Sequence, residues 1–448
     1  MRRIAIFWAL FSAALPLACS NDKSSGPPQS QTSAPITYYE DMLPIFEQHC
    51  LQCHQEGGIA PFRLDQYASA KQHAGDILDK TTERAMPPWS ATSDGSCQQF
   101  SHSLALNDEQ LTAIKGWVEG GAREGTPRSA EVPELPTLGD ALELSTPAFS
   151  PVAQGGDLTE FDEYRCFLLD SGAKDLEFIT GYDVVPGTPA VIHHVLAMVV
   201  DPNAPADIDG QTNGELMTAL DAESPDRDGW PCFGMAGDGV AVESVPVIWA
   251  PGQGVVEYPG QSGVPLIPGH RIVVQVHYNL ADDPGAITDT TKVRLRLASS
   301  VENVGVFVLD DPLLYSLNDP VPHTLEPGQA SVKFTWQRKL KDYFGDTANV
   351  KLLGMMPHMH QRGRKYRMNL GTGSDLGCAM DVQSWDFHWQ RMYFYSQPLA
   401  ITSSSNLEVT CDYDTTGDTA PVLPGWGTRN EMCLATMYFS IPAAELGM

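Results

Sequence analysis

Ala190-Val191-Ile192-His193-His194-Val195-Leu196-Ala197-Met198-Val199-Val200 is the stretch on which the fold turns. It is dense in β-branched and apolar residues, which suit the pleated surface of a sheet. Comparable runs stand at 271–278, 293–298, 332–336, 407–412 and 433–441, separated by Gly, Pro, Asn and Asp. Short strands punctuated by turn residues are the pattern of β-sandwiches and not of a βαβ sheet. Roughly 300 residues of this character exceed one sandwich. Two all-β, jelly-roll-like domains are therefore expected, over residues 152–305 and 306–448.

Upstream the pattern becomes helical. The 448 residues suit two or three domains, and 42% hydrophobic residues suffice for real cores. Within residues 36–125, Tyr39, Met42, Leu43, Phe46 and Cys50 recur at helical spacing. Asn107 and Gln110 form a capping box ahead of Leu111, Ile114, Trp117 and Val118, and Gly120-Gly121 ends that helix. Residues 20–35 and 126–151 are rich in Pro with Ser, Gln or Glu and are expected as linkers. The chain thus reads as multidomain, a small all-α domain followed by two sandwiches.

Arg2 and Arg3 precede an apolar run at 4–17, which reads as an export signal over residues 1–19 and is too short to span a membrane. Ala18-Cys19-Ser20 resembles a bacterial lipoprotein cleavage site with Cys19 as the lipidated residue, although Pro16 stands where Leu is usual. The expected location is the periplasm or outer cell surface, with membrane contact only through that lipid. Lys and Arg number 28 against 56 Asp and Glu, and the net charge of -28 repels nucleic acid and anionic lipid. Nine cysteines suit an oxidising compartment. Once Cys19, Cys50 and Cys53 are set aside, Cys97, Cys166, Cys232, Cys378, Cys411 and Cys433 remain, and spacing cannot choose their pairing.

Cys50-Leu51-Gln52-Cys53-His54 has the spacing of a c-type haem attachment site. The thiols of Cys50 and Cys53 add across the haem vinyl groups, and His54 is placed to bind the iron. Met86, in Met86-Pro87-Pro88-Trp89, is the candidate sixth ligand, and a Met ligand raises the haem potential. One covalent haem c in an all-α cytochrome c domain is expected. The stretch from Cys50 through Pro61-Phe62 to Trp89 also resembles the small cytochrome domain fused to bacterial copper monooxygenases.

Of the twelve histidines, five others fall in three strand-like contexts: His193-His194, His277 and His358-Met359-His360. His358 and His360, two apart on a strand, face the same way. His193 and His194 are neighbours, so a shared ion requires a twist or bulge there. Imidazole with thioether suits copper. His49, His73, His102, His270, His323 and His388 read as structural or surface residues, His388 least securely because it lies in the aromatic run Trp385-Asp386-Phe387-His388-Trp389-Gln390.

Val191-Ile192-His193-His194-Val195, Gln275-Val276-His277-Tyr278, Pro357-His358-Met359-His360 and Glu431-Met432-Cys433 occur in that order. Together they resemble the motifs of the type II copper, ascorbate-dependent monooxygenases, the family of peptidylglycine α-hydroxylating monooxygenase and dopamine β-hydroxylase. The resemblance covers residues 155 to 445 and implies two coppers per chain. His193, His194 and His277 would hold the electron-transfer copper. His358, His360 and Met432 would hold the copper at which oxygen is activated for insertion into a C–H bond, and would be the catalytic set. It further implies one copper on each of two sandwiches facing across a solvent-filled cleft, and a Cys411–Cys433 disulfide beside the Met ligand.

Met356, Leu434 and Thr436 stand where the peptide enzyme has an arginine, an Asn and a Tyr for its substrate. A C-terminal glycine peptide is thus disfavoured and a less polar small organic substrate favoured. The implied partners are molecular oxygen and an external reductant, ascorbate-like or a redox protein, with electrons passing in through the haem. The flexible 126–151 linker is expected to let the haem reach the copper of His193, His194 and His277. The alternatives are a non-catalytic haem and copper electron-transfer or copper-handling lipoprotein, and a cytochrome fused to a structural sandwich. A blue-copper centre would need two His, a Cys and a weak Met; Cys433 and Met437 lack a His between them.

Overall fold

The computed structural model describes residues 35–448 apart from 59, 134–136, 156–159, 209, 252, 282–284, 348 and 388. The export signal, Cys19 and nearly all of the first linker therefore lie outside the described residues, as does His388. The described chain is mostly β-sheet with few, mostly short helices.

Three sheets build the β region. A five-stranded sheet runs in the order Trp230–Pro231, Asp162–Leu169, Arg271–Asn279, Ile192–Val200, Ser244–Trp249. A four-stranded sheet runs Val332–Lys339, Ser405–Tyr413, Gly363–Thr372, Asp375–Val382. Behind both lies a nine-stranded sheet that includes Glu177–Val185, Ser262–Leu266, Asn303–Asp310, Leu434–Pro442 and Lys351–His358 in that order. Val195, Val274, Ile179 and Leu295 share one hydrophobic core, and Met368, Val409, Leu352 and Phe439 share a second. There are thus two sandwiches with a common back sheet.

The junction of the sandwiches is a parallel pairing, Asn303 opposite Ser262 and Val304 opposite Gly263. Position 305, where the sequence suggests a domain boundary, lies inside the strand Asn303–Asp310. Gly305 faces Tyr438, and a Cβ there would collide with the phenol ring. That phenol pairs with the Ser262 hydroxyl at 2.8 Å, tying the two sandwiches together. Ser405–Tyr413 alternates buried and half-buried residues as a one-sided strand should. Arg271–Asn279 is buried along almost its whole length. The helix Asn213–Ala222 places Leu216 and Met217 in the same core as that strand, which leaves no solvent face to alternate with.

The helical residues close on a core of their own, in which Tyr38, Met42, Leu43 and Phe46 pack with Ile77, Ile114 and Trp117. The capping box forms: Gln110 N donates to Asn107 Oδ1 at 2.8 Å and Asn107 N to Gln110 Oε1 at 2.9 Å. One stretch of the expected helical region goes elsewhere. Trp89, Ala91 and Phe100 belong to the core of the C-terminal sandwich. Thr92 N donates to Asp381 O and Ser101 N to Phe394 O, both at 2.8 Å. The Cys97–Cys378 disulfide clamps this strap. It covers the outer strands of two sheets, whose unpaired backbone groups favour such a cover.

The second linker is also held. Arg128 forms a two-pronged pair with Glu47 at 2.7 and 2.9 Å, and Leu142–Ser145 adds an edge strand to the long sheet. The helical residues are therefore fastened to the β region by strap, disulfide and linker. Replacing Cys97 and Cys378 together by Ser is expected to cost about 2–4 kcal/mol. The check is a lowered Tm with earlier proteolytic cutting in 89–105.

Candidate functional site

His193 and His194 reach one point because the strand bulges. Pairing with Arg271–Asn279 shifts register between Ile192 and His194, which sets His194 opposite His277 and leaves His193 as the extra residue. The Nδ1 atoms of His193 and His194 are 3.4 Å apart, and those of His194 and His277 are 3.2 Å apart. Imidazole nitrogens bound at about 2.0–2.1 Å to one ion in tetrahedral geometry stand about 3.3 Å from each other. The donor set fits a metal ion.

The far ring nitrogens are oriented by partners that sequence reasoning missed. His194 Nε2 meets Gln275 Oε1 at 3.2 Å, and the Gln275 amide nitrogen donates to the carbonyls of Cys232 and Gly234 at 3.0 and 2.7 Å. His277 Nε2 lies 3.1 Å from Asp162 Oδ1, a contact of poor angle for a hydrogen bond but close enough to orient the ring. Asn279 steadies that carboxylate at 2.8 Å. Partners of this kind fix the tautomer and ring direction of metal-binding imidazoles. Asp162→Asn is expected to weaken metal binding here about 10–100-fold, as measured by copper titration.

On the other sandwich, His358 Nδ1 bonds Gln390 Oε1, and His360 Nδ1 is 3.1 Å from Asn430 O. Both Nε2 atoms are left for a ligand, and the two rings stand at 88° with centroids 5.0 Å apart. Buried Glu431 accepts His360 N at 2.9 Å and Arg362 N at 2.7 Å. Met432 is buried, and Tyr413 Oη donates to its carbonyl at 2.7 Å. Cys433 N donates to Asp311 at 3.0 Å, and Cys433 is joined to Cys411 by a disulfide. Cys166–Cys232 is the third disulfide among the described residues.

Burial pushes His194, His277 and His360 well below the usual imidazole range, with neighbouring histidines adding to the effect. Burial lowers His358 to about 4, against the opposing bond to Gln390. All four are neutral near pH 7, the form that binds metal.

Both sets line one cavity of about 830 Å³, together with Met356, Leu434 and Thr436. The Phe387 ring stacks on His193 at 5.2 Å and stands edge-on to His360 at 6.0 Å. A side chain therefore lies between the sets, where the resemblance implied solvent. The aromatic run around His388 is a loop, and its members Phe387 and Gln390 reach the two sets.

Of the remaining histidines, His49 bonds Leu104 O, His73 stacks on Phe62, and His323 packs on Phe334. His270 pairs with Glu243 at 2.7 Å and, with Asp201, forms a second group within metal-binding reach. Glu243 is exposed there.

Cys50 and Cys53 are both unpaired, although every other cysteine among the described residues is in a disulfide. His54 Nδ1 is 2.9 Å from Phe62 O, which leaves Nε2 for a metal. Met86 is half-buried on the turn after the helix Ala74–Thr82.

Residues 322–447 match the C-terminal domain of the copper type II ascorbate-dependent monooxygenases. Tyramine beta-hydroxylase of Caenorhabditis briggsae is 24% identical over 207 residues, 44% of this chain and 34% of that protein. DBH-like monooxygenase protein 1 of Mus musculus is 24% identical over 207 residues, 44% of this chain and 33% of that protein. This chain thus spans about a third of the length of these relatives. The matched residues 322–447 include His358, His360 and Met432. The major capsid protein P2 of bacteriophage PM2 overlays 68% of this chain and 98% of its own at 8% identity with a TM-score of 0.28, too low for any argument.

Proposed function

We propose that this chain is an exported copper monooxygenase that hydroxylates a C–H bond of a small organic substrate and takes electrons through a covalent haem c. The observation that carries the reading is the convergence of the His193 and His277 Nδ1 atoms on His194 Nδ1 at 3.4 and 3.2 Å, on one cavity with His358 and His360. His193, His194 and His277 hold one copper; His358, His360 and Met432 hold the other. Copper bound there supplies one-electron redox chemistry and oxygen activation, and a thioether ligand favours its reduced state.

The reaction balances as substrate C–H plus oxygen, two electrons and two protons, giving C–OH and water. The chain's own contribution is placement. Gln275 and Asp162 hold the first pair of rings, and Gln390, Asn430 O and Glu431 hold the second. Met356 and Leu434 give the substrate side of the cavity apolar walls, in keeping with an apolar substrate.

Residues 36–88 and 106–125 would form the cytochrome domain, in which Cys50 and Cys53 would attach the haem and His54 and Met86 would bind its iron. Phe62 O fixes the His54 ring for that role. Export, and lipid attachment through Cys19, suit three disulfides and the absence, among the described residues, of a helix long and apolar enough to cross a membrane.

The test is metal and haem content of the purified chain with oxygen uptake. About two coppers with a type II signal, a pyridine haemochrome of one haem c, and substrate gaining one oxygen atom are the expected results. Strong blue absorption without product would replace the enzyme by an electron carrier.

A further inference from the structure

We propose that Phe387 is a positioning residue that sets the spacing of the two metal sites and keeps a bridging ligand out from between them; this rests on the two-copper reading above. Its ring stacks on His193 of the first set, with centroids 5.2 Å apart and planes 26° off parallel. It stands edge-on to His360 of the second set, with centroids 6.0 Å apart and planes at 87°. His193 is on the strand Ile192–Val200 of one sandwich, and His360 lies just beyond the strand Lys351–His358 of the other. One side chain thus meets a ring from each set.

The loop that carries Phe387 is fastened to the second set at two points. Trp385 is buried, and its indole nitrogen donates to His360 O at 3.1 Å. Gln390 Oε1 bonds His358 Nδ1, and Gln390 Nε2 donates to Phe387 O at 2.8 Å. One amide therefore holds both the His358 ring and the backbone of Phe387. Trp385 N also donates to Arg364 O at 2.9 Å, and Trp389 N to Asp386 O at 3.1 Å. Outer partners of this kind orient metal-binding imidazoles. Here the same partners also carry an aromatic ring across to the first set.

Distances decide what the ring does. Metal ions that act as a pair on shared oxygens stand about 3.5–4 Å apart. Carbon atoms in contact are themselves about 3.5–4.0 Å apart, so groups packed on both sides of one ring are held roughly 7 Å or more from each other. With Phe387 in place, ions on the two sets stay beyond bridging distance and remain separate one-electron centres. Phe387 also lines both the cavity of about 830 Å³ and a smaller pocket of about 320 Å³ bordered by Arg84 and Trp89. Its ring is therefore part of the wall between the two. Truncating it opens the space between the sets to small anions.

The experiment is azide titration of the copper(II)-loaded full-length protein, read by electron paramagnetic resonance, in wild type, Phe387→Ala and Phe387→Tyr. Azide joins two cupric ions only when they can approach, and joined ions lose their signal as their spins pair. Wild type and Phe387→Tyr, which keeps the ring, should hold their integrated copper signal throughout. In Phe387→Ala the signal is expected to fall at least about twofold, because nothing then holds the ions beyond bridging distance. Should the alanine variant not accumulate, Phe387→Val, which also lacks the ring, is read in its place. A full signal under azide in the truncated variant with its copper content unchanged, or a loss of signal in wild type, overturns the spacing role alone. Wild-type protein that binds fewer than about two coppers per chain overturns the two-copper reading and this assignment together.

Discussion

Replacing His277 by Ala is expected to reduce bound copper from about two to about one per chain and to abolish hydroxylation. His277 Nδ1 is 3.2 Å from His194 Nδ1, and its ring stacks on Tyr164 at 3.9 Å, so the nitrogen is held in place before any ion arrives. Removing it leaves only two donors, His193 and His194. Loss of an outer partner costs about 10–100-fold in metal affinity, and loss of a ligand costs more. The set at His358, His360 and Met432 hangs on different strands and has its own supports, so it should keep its metal. Copper counted by elemental analysis, with the type II signal resolved before and after the change, gives the answer. Loss of both ions together would show that the two sets are not separate sites.

Glu431→Ala is expected to be the most damaging single change outside the metal-binding side chains. The Glu431 carboxylate is fully buried and accepts the backbone N–H groups of His360 and Arg362 at 2.9 and 2.7 Å. Removing it strands two buried donors, each costing about 1–3 kcal/mol. A loss of about 2–6 kcal/mol follows, before the cavity left behind is counted. The turn after His358-Met359-His360 is also released from the segment carrying Met432, just ahead of the strand Leu434–Pro442. The expected readings are a clear fall in chemical-denaturation midpoint and one copper lost from the second set. Burial raises the carboxyl to about 7, against the backbone donors that lower it, so Gln in its place should retain more stability than Ala. Equal stability of the Ala variant and wild type would show that the turn is held by other contacts, such as the His360 bond to Asn430 O.

Local pattern made several features legible. Cys50 and Cys53, set apart by spacing from the other cysteines, are the two thiols outside the disulfides among the described residues. His358 ends the strand Lys351–His358 and His360 lies just beyond it, so the two-residue strand repeat expected from the sequence does not by itself bring their rings together. The requirement for a bulge at His193-His194 follows from the same geometry, and the structure has the bulge there. The capping box at Asn107 and Gln110 forms from residues three apart. Such features depend on neighbours along the chain, and neighbours are what a sequence displays.

Contacts between distant residues were decided only in three dimensions. The pairing of Cys97 with Cys378 spans 281 residues, and nothing in the spacing of six cysteines favours it. Residues 89–105 have no periodicity of their own, because their backbone bonds go to strands near 381 and 394 and not to each other. The linker at 126–151 has the composition of a free tether, yet Glu47 and the long sheet hold it. Asp162, Gln275 and Gln390 look like ordinary polar residues until the fold sets them against the histidines. The chemistry of each donor was written in the sequence. Which donors meet was decided by the packing of two sandwiches on one sheet, since convergence at a point is a property of tertiary distance.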